Sequence, residues 1–183
     1  MNETSVSLKS VFDGWDGYQA SILHAVEPLT PAQLAWRPAP DLRSLGETAG
    51  HIALGRVEWF ARMDAPGSRA LLERAAPLLT PGGNLDPRLA ANPAVIVEWL
   101  HLSWAVIADT LQQWTVSDLF RVYHHTYYGK VYAVSYQWTI WRILTHDIQH
   151  GGQLAQMLGE QGLPAVELGD LGGHLTMPPV VEP

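Results

Sequence analysis

Apolar residues recur at helical spacing in four long stretches of the chain. From Val6 to Val26, the positions Leu8, Val11, Phe12, Trp15, Ile22 and Val26 share one face, and Pro28 ends the run. Ser44 opens a second helix that runs to about Met63, with Leu45, Ile52, Trp59 and Met63 as its apolar stripe. Glu47 completes a capping box with Ser44, in which each side chain satisfies an orphan amide of the first turn. Asn92-Pro93 starts a third helix that runs to about Trp114. Ile96, Trp99, Ser103, Val106, Thr110 and Trp114 lie on one face of it, and Glu98, His101, Asp109 and Gln112 on the other. A fourth helix is predicted from about Ser135 to Gln161, where Gly162 and Pro164 stop it. Its apolar arc holds Ile140, Ile143, Leu144, Ile148, Leu154 and Leu158.

The connections differ in kind. Thr30-Pro31 caps a one-turn helix, and Pro38 to Pro40 stiffens the link to the second helix. Asp64 to Ala91 is rich in Pro and Gly and reads as a long crossover, with a short helix at Arg69 to Ala76. Between Arg121 and Ser135 the Val, Tyr and Thr residues around Gly129-Lys130 predict a small hairpin. Leu163 to Pro183 is a Gly/Pro-rich tail expected to pack irregularly or fray. The fold class expected is all-α: a single domain over residues 1–183, with its core at about 5–162.

Composition narrows the function. The chain has 183 residues, 47% of them hydrophobic and 16% charged, which suits one folded domain with its own core. A net charge of −7 without a basic stripe argues against a nucleic-acid partner. With no Cys, a disulfide scaffold, a thiolate zinc site and a Cys nucleophile are all excluded. No signal-peptide pattern and no uncharged apolar run of bilayer length is visible, so a cytoplasmic protein with no membrane partner is expected. Eight Trp residues predict wide aromatic packing, with Trp99, Trp104, Trp138 and Trp141 mostly in the core. The apolar and aromatic excess also leaves a homodimer open.

One cluster carries chemistry. His146 and His150 stand one turn apart on the fourth helix, a spacing that lets two imidazoles bind one ion. Gly151 and Gly152 just after them each cost the helix roughly 1 kcal/mol against Ala, which points to a need for close approach or space. The pair by itself also reads as an exposed pair or a satisfied core pair; a third ligand would strengthen the metal reading, and His51 is the best candidate. It lies among small neighbours on the second helix, with Gly55 one turn along the same face.

Ser44-Leu45-Gly46-Glu47-Thr48-Ala49-Gly50-His51-Ile52, followed much later by His146-x3-His150-x-Gly152-Gln153, resembles the DinB/YfiT-like family of metal-binding helical proteins. Leu34-x-Trp36-Arg37-Pro38 and Asp118-Leu119 before the hairpin add to the likeness, which spans about residues 5–162. The resemblance implies a four-helix bundle of up-up-down-down type, with one divalent metal ion held by His51, His146 and His150. It also implies a small-molecule substrate. Related enzymes activate a low-molecular-weight thiol and transfer it to an electrophile, or isomerise a thiol adduct. Zn, Ni and Fe(II) all accept imidazole, and a chain without Cys needs its thiol cosubstrate from outside.

Other residues are read two ways. Asp147 falls on the apolar arc of the fourth helix and Arg56 near the stripe of the second. Either they pair, or Asp147 orients a ligand His, or both reach water. Gln153 lines the site or bonds across helices; Glu58 is a general base, a substrate anchor or a solvated carboxylate. Of His124 and His125 in the hairpin, one can face inward. His24, His101 and His174 carry no pattern of this kind. The function expected is a metal-dependent thiol transferase, or a hydrolase acting through water. The alternatives are a non-catalytic metal-binding bundle in sensing or stress response, and a helical interaction module. A zinc peptidase is disfavoured, because no His-Glu-x-x-His pattern is present.

Overall fold

The computed structural model describes residues 6–164. Most of the tail, including His174, lies outside that range. Eight helices and one hairpin follow in chain order: α1 (Leu8–Val11), α2 (Trp15–Val26), α3 (Pro31–Ala35), α4 (Leu45–Arg62), α5 (Ser68–Ala75), α6 (Pro87–Ala90), α7 (Pro93–Gln113), β1 (Val122–Tyr127), β2 (Lys130–Ser135) and α8 (Tyr136–Glu160). The fold is mostly helical with a small two-stranded sheet.

Local signals work largely as the chain predicts. Ser44 Oγ accepts from the Glu47 amide at 3.2 Å, while Glu47 Oε2 accepts from the Ser44 amide at 2.7 Å, so the capping box of α4 is complete. Thr30 caps α3 through a similar box with Gln33. The hairpin turns at Tyr128-Gly129, both with positive φ (45° and 73°), the geometry that matches the twist of paired strands. A short helix does form in the crossover, at Ser68–Ala75.

Three expectations need correction. The first helix is not continuous from Val6 to Val26: it breaks between α1 and α2, where Gly14 takes a left-handed φ of 95°. The break lets Leu8 donate its amide to the Trp114 carbonyl at 3.0 Å, which ties α1 to the end of α7. On α8, the buried face passes through Ile143, Asp147, His150 and Leu154, and Ile148 is 50% exposed. A polar residue displaced an apolar one there because Asp147 has partners waiting in the core.

The third correction concerns helix direction. On α2 and α8, Phe12 meets Trp141, Trp15 meets Asp147 and Tyr18 meets Gly151, so these helices run the same way. Thr48 meets Met157, Arg56 meets Asp147 and Tyr136 meets Met63, so α4 opposes α8. Ser7 meets Leu111 and Gln19 meets Leu100, so α7 opposes α2. The order is therefore up-down-down-up rather than up-up-down-down. A single long connection, between α4 and α7, returns the chain to its starting end, and the shorter links reverse direction.

That crossover is partly structured. Leu71, Ala75, Leu85 and Ala90 from it are buried in the common core. Long and apolar enough to cross a membrane by composition, α7 instead packs on α4 and buries Ile96, Trp99, Ser103, Val106 and Thr110. Trp99 is in the core, while Trp138 and Trp141 are 50% and 52% exposed. Their helix turns them away from the packed face, toward two surface cavities.

Candidate metal centre

Antiparallel packing of α4 and α8 brings residues far apart in sequence to one place. His51 Nε2 lies 3.1 Å from His146 Nε2, and the ring centroids of His51, His146 and His150 are 4.4–4.8 Å apart. One nitrogen from each ring falls within 4.8 Å of the others. Imidazole nitrogens 3.1 Å apart share either a proton or a cation between them. Tetrahedral zinc with bonds of about 2.0–2.1 Å separates its ligand nitrogens by roughly 3.3 Å, so the donor set fits one ion.

Neighbours hold the rings in a ligand-ready state. A Gln Oε1 can only accept, so His150 Nδ1 carries the proton of their 2.7 Å hydrogen bond. That leaves His150 Nε2 bare, the usual way an outer residue fixes a metal-binding tautomer. Burial, then the charge of Arg43 and the neighbouring His146 and His150, push His51 down to about 3. Burial also lowers His150, although the Gln153 bond acts against it. Neutral imidazole is the form that binds metal. His146 Nδ1 is buried without a hydrogen bond, with Asp147 Oδ1 3.9 Å away. Gly55 gives the His146 ring its room: a Cβ there would sit 2.8 Å from Cε1.

Behind the rings lies a second polar cluster. Arg56 and Asp147 are fully buried and paired, with Nη2 to Oδ2 at 2.8 Å and Nε donating to both carboxylate oxygens at 2.9 and 3.1 Å. Trp15 Nε1 donates to Asp147 Oδ2 at 3.0 Å. Arg56 also donates to Gln19 Oε1, and Gln19 Nε2 donates to the Leu100 carbonyl at 3.2 Å. Burial alone would raise the Asp147 carboxyl, but Arg56 above all, with His146 and then Trp15, outweighs it and holds it below the ordinary range. Arg56 and Asp147 thus pair with each other and do not reach water, and Trp15 and Gln19 are partners that sequence reasoning missed.

The three imidazoles open into a cavity of about 530 Å³. Glu58 stands at its wall, 52% exposed and 3.8 Å from Arg62. Inward-facing His125 joins the wall edge-on to Trp59, 5.4 Å between centroids, while His124 is exposed. His24 and His101 are exposed and stand apart from the site. Trp59, Arg62 and Arg142 also line the cavity and were not singled out for it from the sequence. The one available signal was their helical spacing: Trp59 and Arg62 are a turn apart, as are Trp138 and Arg142.

Residues 15–154 match the sequence profile of the DinB superfamily. The chain belongs to that superfamily. None of the curated proteins compared matches it. Among solved structures it is similar to a DinB-like protein from Bacillus cereus, with a TM-score of 0.59 and 17% identity, over 91% of this chain and 93% of that one. At this identity the likeness shows a shared fold. The superfamily is associated with metal, and the three-His cluster of this member is a group that can hold an ion.

Proposed function

We propose that this DinB superfamily member is a divalent-metal-dependent enzyme on a four-helix bundle, acting on a small molecule with a thiol or water as nucleophile. The observation that carries the reading is the convergence of three imidazoles, from two helices, at the wall of a ligand-sized cavity. His51, His146 and His150 would hold the ion, with Zn, Ni or Fe(II) suiting the donor set. When bound, such an ion supplies a Lewis acid that lowers the pKa of a thiol or water and leaves positions open for it.

The chain's own residues prepare the rest. Gln153 keeps His150 Nε2 free of its proton. The Arg56–Asp147 network fixes the helices that carry the ligands. Glu58 is exposed at the cavity wall, placed to take a proton from an incoming nucleophile. With no Cys in the chain, thiol chemistry would need a low-molecular-weight thiol cosubstrate.

Elemental analysis of tag-free protein beside the His51→Ala variant tests the centre. About one ion per chain, lost in the variant, is expected. The loaded protein is then screened with low-molecular-weight thiols and electrophiles. Bound metal without turnover would favour a non-catalytic metal-binding bundle. Failure to bind Zn, Ni or Fe(II) would overturn the metal reading.

A further inference from the structure

Two arginines beside the three-His cavity have no part in the reading above. Arg62 of α4 and Arg142 of α8 both lie over the Trp59 ring, their guanidinium carbons 4.4 and 4.5 Å from its centroid. Stacking occupies the flat face of a guanidinium and leaves its in-plane N–H donors directed outward. Those donors are poorly used. Arg62 Nη1 is buried with no hydrogen bond, and its nearest acid, Glu58, is 3.8 Å away. Among the described residues, Arg142 has no acidic side chain within ion-pair distance. Two cations and one loosely held carboxylate therefore meet in a protein whose net charge is −7. Such a local excess attracts an anion.

The surroundings say what kind. Sharing Trp59, His125, Tyr127 and Arg142 with the three-His cavity, a second cavity of about 600 Å³ opens beside it. Hairpin register puts His125 opposite Tyr132 and Tyr123 opposite Val134, so Tyr132 and Val134 share the face that His125 presents. Tyr132 and Trp138 line this second cavity yet are 45% and 50% exposed. Apolar surface left open in a concave site is what an apolar ligand covers.

We propose that the joined cavities take an organic acid with an apolar body. Arg62 and Arg142 hold its carboxylate, whose planar pair of oxygens matches in-plane guanidinium donors. Tyr132 and Trp138 cover the apolar body. This names the substrate class of the enzyme proposed above and rests on that reading for the reacting atoms, while acid binding itself needs no metal.

Isothermal titration of the full chain, metal-free and zinc-loaded, with 4-phenylbutyrate and its neutral amide is the test. In metal-free protein the acid should bind about 10-fold or more tighter than the amide. Arg62→Ala and Arg142→Ala should each weaken the acid about 10-fold and leave the amide unchanged, whereas Trp138→Ala should weaken both together. Acid and amide binding equally, or neither binding, overturns the proposal, and this comparison needs no variant to fold. Arginine variants that keep helicity and bind the acid like the parent also overturn it. Mercaptoacetate, a thiol acid without an apolar body, binding as tightly as 4-phenylbutyrate overturns the apolar half. Absent metal with intact discrimination would sink only the metal reading; bound metal without discrimination would sink only this one.

Discussion

Two polar clusters sit side by side on the seam between α4 and α8. Arg56 and Asp147 are fully buried and paired, with Trp15, Gln19 and the Leu100 carbonyl around them, although Arg56 Nη2, 2.8 Å from Asp147 Oδ2, makes no hydrogen bond. His51, His146 and His150 flank that pair, open to a cavity, with His146 Nδ1 unbonded and two Nε2 atoms facing each other at 3.1 Å. The first cluster pairs its opposite charges inside the protein. The second turns its imidazoles toward a cavity and keeps one ring nitrogen without a partner. Internal pairing of opposite charges, against imidazoles that face a cavity, separates the two clusters on the same helices.

The largest way to break this contrast is Asp147→Ala. It leaves Arg56 buried and uncompensated, so chemical denaturation should show a loss of about 3–5 kcal/mol. Replacing the pair together, Asp147→Leu with Arg56→Met, should restore much of that loss, because an apolar pair needs no partners. If the single variant matches the parent in stability, the network does not hold the helices.

His146→Ala and His150→Ala should behave in the opposite way. Metal-free stability should change by less than about 1 kcal/mol, while metal-dependent stabilisation disappears. That stabilisation is about 2.7 kcal/mol in the parent at an ion concentration 100 times Kd. Melting curves with and without zinc make the comparison.

Gln153→Ala sharpens the contrast from outside the ligand set. Losing the partner of His150 Nδ1 should weaken metal binding about 10-fold, read by competition with a chelator, with the fold intact. An unchanged affinity would remove Gln153 from the site.

The last test is in pH. His51 sits at about 3 in the folded chain against an ordinary 6.5, so the unfolded chain binds more protons between those values. The metal-free protein should hold this contribution fully above about pH 6.5 and lose it as the pH falls toward about 3. The depressed Asp147 carboxyl adds a further loss only in stronger acid, below its ordinary value. In His51→Gln the loss on the higher side should vanish from denaturation measured across that range.

Much of the fold and the three clustered imidazoles were legible in the sequence. Capping boxes, the crossover, the hairpin turn and the faces of α7 depend on residues within a few positions of one another, and local patterns record them. Even the pair His146 and His150 follows from one helical turn, and His51 stands out by its small neighbours and Gly55, with the likeness of its segment to a known family added to that. What local pattern cannot hold is the relation between helices. The break at Gly14 serves a bond to Trp114, and the direction of α7 depends on where a long crossover ends. Asp147 reads as a misplaced charge until Trp15 and Arg56 arrive from two other helices. Arg62 and Arg142 read as ordinary surface cations until packing lays both over Trp59. Residue types and spacings thus determined the helices and a metal-capable triad. Only the tertiary packing decided which polar groups found partners and which were left facing a cavity, because desolvation and pairing are set by neighbours that the chain brings from afar.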